Sequence, residues 1–307
     1  PVPRVRRNMN LYMDNVNFES LSGPNHFGTK LKKYLEKLDV TVNKHNPDIQ
    51  LSFIEAVRRY PNIPLVQRLD GIYFNKAFNY SLQNRNILNT YNMADGVVFQ
   101  SDFNRKLTFQ YFGHHKNSVV IRNGADIEFI NTIPALSNKL TKKYDKVWCC
   151  ASSWRPHKRL NENINYFLEK SSEDDCLFVA GETPEIVKHD RIFYVGDLQI
   201  KDLISLYKAS DYFVHLAWLD HCPNVVVDAR ASGCKIVCSS TGGTSEIAGS
   251  DAIVVKEGEW DFSPIDLYNP PKMKFNQKKL KVKASTFDMK DVSGQYKKFL
   301  ENIRSKF

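Results

Sequence analysis

No segment of this 307-residue chain approaches the ~20 consecutive apolar residues that span a bilayer, so a membrane-spanning helix is not expected. The opening P-V-P-R-V-R-R has no apolar core behind it and is not read as a secretory signal. Six cysteines, at 149, 150, 176, 222, 234 and 238, show no paired metal-ligand spacing. Reduced, mostly buried thiols of a cytoplasmic protein are the simplest reading. Cys149 and Cys150 adjoin in a strand-like run, where consecutive side chains face opposite ways. No internal repeat or low-complexity tract stands out, and there is no Asp-x-Asp triplet, so no bound metal is expected.

What is present describes a globular protein, 42% hydrophobic and 25% charged. Its length favours two domains of ~150 residues. Lys plus Arg number 43 against 34 Asp plus Glu, a balance of +9. Such a field attracts anions: nucleotide diphosphates, acidic lipid surfaces or nucleic acid. Much of the excess sits in Lys30 to Lys33 and in Lys272 to Lys283. These runs read as solvated faces, with peripheral contact to an acidic membrane surface or acceptor as the alternative. Basic residues are not interleaved with aromatics on one element, which argues against nucleic acid.

Strand-like runs alternate with helical ones, the pattern of α/β layers with mostly parallel sheets. In the first half, strands are expected at Leu11 to Val16, Asp48 to Phe53, Pro64 to Leu69, Gly96 to Ser101 and Ser118 to Gly124. Helices are expected at Lys30 to Leu38, Leu82 to Met93 and Asp102 to Phe112. In the second half, strands are expected at Lys146 to Ser152, Leu177 to Gly181, Arg191 to Gly196, Tyr212 to Ala217, Lys235 to Ser239 and Asp251 to Val255. Helices fit Leu160 to Leu168, Ile200 to Ala209 and the amphipathic tail Lys290 to Ile303. The expected division is a first domain at 1–130, a polar linker at 131–144, a second domain at 145–286 and a C-terminal helix at 287–307 that crosses back onto the first domain.

The densest chemistry lies in D-H-C-P-N-V-V-V-D-A-R-A-S-G, Asp220 to Gly233, followed by S-T-G-G-T-S-E-I, Ser240 to Ile247. A polar turn separates Asp220 from an apolar run that can open a helix. Asp228 then stands eight residues on, roughly 12 Å along the axis. That distance suits the reach from the sugar to the ribose of a nucleotide diphosphate sugar. Free N–H groups at the helix start favour phosphate. Upstream, S-W-R-P-H-K-R-L places Arg155 and Lys158 three apart at a strand end, where both can meet one diphosphate.

These segments resemble the donor-site signature of retaining glycosyltransferases of the GT-B fold, family 4-like, also called glycosyl transferases group 1. The family's usual form has two glutamates with this spacing, then a glycine, a strand and G-G-x-x-E. Here Gly233, the strand Lys235 to Ser239, and Gly242, Gly243 and Glu246 match it, while both acidic positions are aspartate. Arg159 occupies the position of the family's glycine and is expected to add positive charge. Val119 to Phe129 resembles the family's interdomain stretch around Asn123-Gly124, and Gly23 to Gly28 its first glycine-rich loop.

The resemblance implies two Rossmann-like domains facing a cleft and a metal-independent, retaining sugar transfer. Arg155 and Lys158 would neutralise the leaving diphosphate, UDP or GDP. Asp228 would bind the ribose, and Asp220 with His221, Cys222, Pro223, Asn224 and Val225 the donor sugar and phosphates. Backbone at Asp197 and Leu198 would read the base, and Gly23 would approach the donor. The acceptor, a hydroxyl of a glycan, lipid or protein-linked molecule, would meet Asn25, Phe27, Gly28 and Arg68, with Asp70 to hold or deprotonate it. Gly23 to Gly28 also reads as a plain strand-to-helix connection, Asp70-Gly71 as a turn, and His215 as a satisfied core histidine. Rival readings are a nucleotide-sugar epimerase, a glucosyltransferase acting on nucleic acid, and a non-catalytic relative that binds sugar nucleotides.

Overall fold

The computed structural model describes residues 8–20, 22–278 and 287–307, and the chain divides into two units. Residues 1–7 and the lysines of the second basic run beyond Lys278 lie outside the described residues. The first unit comprises Pro1–Tyr73, Asn79–Asn123 and Asp288–Phe307; the second comprises Phe74–Phe78 and Gly124–Phe287.

In the first unit the chain runs β1 (Met9–Asp14), α1 (Gly23–Glu36), β2 (Val40–Val42), β3 (Ile49–Phe53), β4 (Leu65–Leu69), α2 (Tyr80–Met93), β5 (Gly96–Phe99), α3 (Asp102–Phe112) and β6 (Ser118–Val120). All six strands are parallel, in the order β2-β1-β3-β4-β5-β6. Strands β3 and β4 are buried at every residue, as parallel strands covered on both faces must be.

The second unit contains α4 (Ile127–Thr132), α5 (Lys139–Lys143), β7 (Val147–Ala151), α6 (Leu160–Lys170), β8 (Cys176–Ala180), β9 (Ile192–Gly196), α7 (Ile200–Lys208), β10 (Tyr212–His215), α8 (Asn224–Ala231), β11 (Lys235–Ser239), β12 (Ile253–Val255) and β13 (Gln277–Lys278). Its order is β13-β12-β11-β10-β7-β8-β9, with only β13 antiparallel. Cys149 and Cys150 fall in separate cores on the two faces of this sheet, as adjacent strand residues should. All six cysteines are buried free thiols.

The chain ends in α9 (Met289–Lys306), whose Met289, Val292, Tyr296, Leu300 and Ile303 share the first unit's core with Leu11, Leu31 and Leu51. Gly96 makes room for it, since a Cβ there would lie 2.9 Å from Ile303.

Three expectations need correction. Residues 131–144 are not a linker: they carry α5, and Ile133, Leu136, Leu140 and Tyr144 pack into the second unit's core. Gly23 to Gly28 is not a loop but the first part of α1, because Pro24 at the helix start is preorganised for helix and lacks an N–H that would go unpaired there. Gly28 serves packing, since a Cβ would stand 2.7 Å from the Val16 side chain.

Both sheets reverse direction at their first strand. In the second unit the chain steps outward from β7 to β8 and β9, then returns to add β10, β11 and β12 on the other side. The switch between β7 and β10 leaves a crevice at their carboxyl ends, where open α/β sheets take ligands. The first unit's switch lies between β1 and β3.

Candidate functional site

The segments after β7 and β10 carry the two halves of the sequence signature, and the switch point brings them together. A single 3₁₀ turn at Pro156–Lys158 follows β7, closed by the Lys158 N–H donating to Arg155 O at 2.8 Å. Lys158 Nζ donates to Asp220 Oδ2 at 2.6 Å. His215 Nε2, from the last residue of β10, lies 2.9 Å from the same oxygen, and the His221 backbone N–H donates to Oδ1 at 2.9 Å. Asp220 is thus bonded on both oxygens, with its side chain 13% exposed and that of Lys158 20% exposed. Arg155 is exposed and, among the described residues, bonds no side chain.

Backbone strain marks the same place. Arg159 and Leu219, the neighbours of Lys158 and Asp220, have φ of 55° and 56°. For residues with a Cβ this left-handed backbone costs about 1–2 kcal/mol each, and such positions cluster at functional sites. Gly242 holds the Asp220 turn from behind: its φ is 77°, and a Cβ would come within 2.5 Å of Asp220 O. The Gly243 N–H donates to that same carbonyl at 2.7 Å. The G-G pair is therefore a support for the Asp220 backbone.

Arg159 does not add positive charge to the crevice. It is 4% exposed, bonds Glu257 at 2.7 Å and the Pro271 carbonyl at 2.8 Å, and so is neutralised within the fold. Its φ explains why a glycine suits this position, and its burial why an acid accompanies the arginine.

Electrostatics divide the cluster into charged and neutral members. Burial alone would raise the Asp220 carboxyl, but Lys158 and His215 outweigh it and hold it well below the usual carboxylate range. Burial, aided by the Lys158 charge, lowers His157 to about 4. Burial likewise lowers His221 to about 4 and depresses His215. At neutral pH Asp220 is therefore a carboxylate among three uncharged imidazoles. Since a carboxylate only accepts, the bond to Asp220 places a proton on His215 Nε2. His215 is buried and satisfied, as expected, but its partner is the signature acid; no spacing rule links a strand histidine to an acid beyond the next turn.

Helix α8 starts at Asn224 with Pro223 at its cap position and no side-chain cap bond, and the Val226 N–H donates to the Pro223 carbonyl at 3.1 Å. Asp228 lies in the middle of α8 and is 6% exposed. Cys222 points into the second unit's core, with Val225 and Leu198 packed against it, so these three can meet a ligand chiefly through backbone. Asp197 is exposed, and its Oδ1 accepts from the Glu182 N–H at 3.2 Å, tying the loops after β8 and β9 together. A cavity of about 400 Å³ beside Arg155 is walled by Trp154, Pro184 and Pro270, with Glu162 and Glu185 at its rim.

The first unit's candidates fare differently. Arg68 is fully buried, its guanidinium 4.0 Å from the Phe27 ring centre and 5.1 Å from that of Phe53. It donates to Tyr296 Oη at 3.0 Å, to Asn123 Oδ1 at 2.8 Å and to Asp70. Arg68 and Phe27 are therefore structural and not acceptor contacts, and Asn123 is a core partner. Asp70 keeps 18% exposure, its Oδ1 accepting from Arg68 and Gln100, and burial pushes its carboxyl above the ordinary value. Asn25 bonds the Asn17 N–H at 3.0 Å and Ser22 Oγ at 2.9 Å, bracing the start of α1, and Gly23 stands exposed as its first residue. Among the described residues no cluster of His, Cys, Asp or Glu is arranged to hold a metal.

Residues 145–262, which span β7 to β12, match the family model of glycosyl transferases group 1. No curated protein matches the sequence significantly. The fold is that of GT-B glycosyltransferases. The Anabaena protein HepE, solved with UDP and glucose, is similar at a TM-score of 0.66 and 15% identity, over 96% of this chain and 100% of that one. Sucrose-phosphate synthase from Thermosynechococcus elongatus gives 0.62 and 11%, over 97% of both chains. WaaG, a glycosyltransferase of lipopolysaccharide biosynthesis, gives 0.57 and 12%, over 97% of this chain and 94% of that one.

Proposed function

We propose that this chain transfers a sugar from a nucleotide-diphosphate sugar, UDP- or GDP-linked, to a hydroxyl of a glycan, lipid or protein-linked acceptor, with retention at the anomeric carbon. The observation that carries the reading is the Lys158–Asp220 pair at the β7/β10 switch, with Arg155 on the same turn. HepE, which shares the fold, is solved with UDP and glucose, which favours a uridine nucleotide.

Arg155 supplies a free guanidinium and Lys158 an ammonium for the diphosphate, offsetting the charge that develops as it departs. The first N–H groups of α8 face the same anion. Asp228 accepts from the ribose hydroxyls, and backbone at Asp197 and Leu198 reads the base. Asp220, with the backbone from His221 to Val225, holds the hydroxyls of the donor sugar. The leaving phosphate oxygen takes the proton of the incoming hydroxyl on the face it vacates, which retains configuration and needs no metal. From the first unit, Asp70, Asn25 and Gly23 remain the candidates for substrate contact. No described helix is long and apolar enough to cross a membrane. The protein acts in the cytoplasm, its lysine-rich surface available to an acidic membrane.

Thermal shifts against UDP, GDP, ADP and dTDP, followed by their common sugars, test the reading. Stabilisation by one nucleotide, with slow release of free sugar from its sugar ester and an α/β assignment of the product by NMR, is the expected result. Stabilisation without release from any donor would leave a sugar-nucleotide-binding relative. No stabilisation by any of the four would end the proposal.

A further inference from the structure

Asp220 is asked to do two things that conflict. It is largely shielded from water, and its chief counter-ion is Lys158 at 2.6 Å. The transferase reading, on which this inference rests, needs Lys158 for the donor diphosphate. A dianionic phosphate that draws on the ammonium weakens its hold on Asp220, and a shielded carboxylate deprived of its partner either protonates or swings away. The His221 N–H secures only Oδ1. Something else must secure Oδ2.

His215 meets that need. Its ring is 4% exposed and lies nearly parallel to Phe213, with centroids 6.2 Å apart and planes 13° apart. The residue ends β10, whose Phe213 and Val214 are fully within the cores and whose register with β11 runs through His215 itself. The imidazole is thus held by the sheet, not by the ligand, and its Nε2 stays aimed at Oδ2. We infer that His215 is a positioning residue for Asp220, donating from Nε2 to keep the carboxylate ionised and aimed at the donor sugar while the diphosphate engages Lys158. The charged and titratable groups facing Asp220 are Lys158 and His157 from the turn after β7, His215 from β10 and the adjacent His221. Of these, His215 alone donates a side-chain bond to Oδ2 without being a candidate phosphate ligand.

The test compares wild type, His215→Leu and His215→Gln, with UDP and UDP-glucose as probes, or GDP and GDP-mannose if the thermal-shift panel selects guanine. In His215→Leu, sugar release should fall about 10- to 100-fold in kcat, the loss expected for a bond to a charged group. The Kd for UDP should stay within about twofold, because the nucleotide does not touch His215. The acid limb of the pH–rate profile should move to higher pH, since Asp220 loses a donor that favours its ionised form. His215→Gln, whose amide N–H reaches a similar point, should recover most of the rate. A His215→Leu protein with the wild-type rate and acid limb overturns the inference. So does one in which UDP affinity and kcat collapse together and His215→Gln gives no rescue. Independently of turnover, ¹⁵N spectra of histidine-labelled wild type should place the neutral-pH proton of His215 on Nε2; a proton on Nδ1 overturns the inference even if His215→Leu does not fold. A wild type that binds neither UDP nor GDP removes the transferase reading itself, an outcome distinct from a turning-over wild type that His215→Leu equals.

Discussion

Each unit holds an ion pair near the carboxyl ends of its strands, Arg68–Asp70 in the first and Lys158–Asp220 in the second. Their acids are similarly shielded, and they differ in the cation: Arg68 is fully buried, whereas Lys158 is 20% exposed. Arg68 lies near the end of β4, the strand beyond β3 from the β1/β3 switch, and is sealed by two phenylalanine rings, Tyr296 and Asn123. Lys158 and Asp220 sit at the β7/β10 switch, each partly open, each beside a residue in left-handed backbone. One cation is engaged wholly inside the protein; the other reaches solvent. Position relative to the switch, more than residue type, separates the sealed cation from the open one here.

The largest effect should come from breaking the sealed pair. Arg68→Met removes the buried cation shared by Asp70, Asn123 and Tyr296 and should cost about 3–5 kcal/mol in urea unfolding, while any residual folded fraction binds nucleotide normally. The open pair should behave in reverse. Arg155→Ala or Lys158→Met should each lower sugar release by about 10²- to 10³-fold, with a much smaller loss of stability than Arg68→Met. Equal destabilisation by both would erase the contrast.

Acid should act on the second unit through its histidines. His157 and His221 have folded values of about 4 against 6.5, so between those limits the unfolded chain binds protons that the folded one refuses. Their contribution is whole above pH 6.5 and is lost as pH falls toward 4, up to about 3 kcal/mol for each. Asp220, held well below the usual range, keeps its contribution until lower pH still. Stability measured from pH 7 to pH 4 should fall in wild type and flatten in a His157→Gln, His221→Gln double variant. The smallest effect concerns Arg159. Replacement by glycine relieves about 1 kcal/mol of left-handed strain but leaves the Glu257 carboxylate without its cation, so Arg159→Gly alone should destabilise, and adding Glu257→Gln should restore stability to near wild type.

Much of the second unit was legible in its residues. Lys235 to Ser239 and the start of α6 at Leu160 fall where the apolar pattern puts them, because buried parallel strands and an amphipathic helix leave period-specific runs. In the first unit, Asp102 to Phe112 forms α3 with both ends as expected, its N-terminus capped by Ser101. The failures have identifiable causes. Glycines at 23 and 28 suggested a loop, yet Pro24 opens a helix and Gly28 is small for the sake of Val16. Leu136 and Leu140 were too sparse in a lysine-rich stretch to signal α5 and its packing. Strand β2 is three residues long and offered no pattern. Within the candidate site, the two signature segments do meet, through Lys158 and Asp220 at the β7/β10 switch. Residue spacing did not distinguish Arg68 as a core cation, Arg159 as neutralised by Glu257, or His215 as a partner of Asp220, because those depend on which strands neighbour one another.

The most direct test of the central claim, that Arg155, Lys158 and Asp220 form a diphosphate-responsive site at the β7/β10 switch, is isothermal titration of UDP and GDP into wild type, Arg155→Ala and Lys158→Ala. The account predicts binding to wild type by one of the two nucleotides, weakened about tenfold or more in each variant, the loss expected for a charge-assisted bond. No binding to any of the three proteins, or an affinity indifferent to both substitutions, would contradict it.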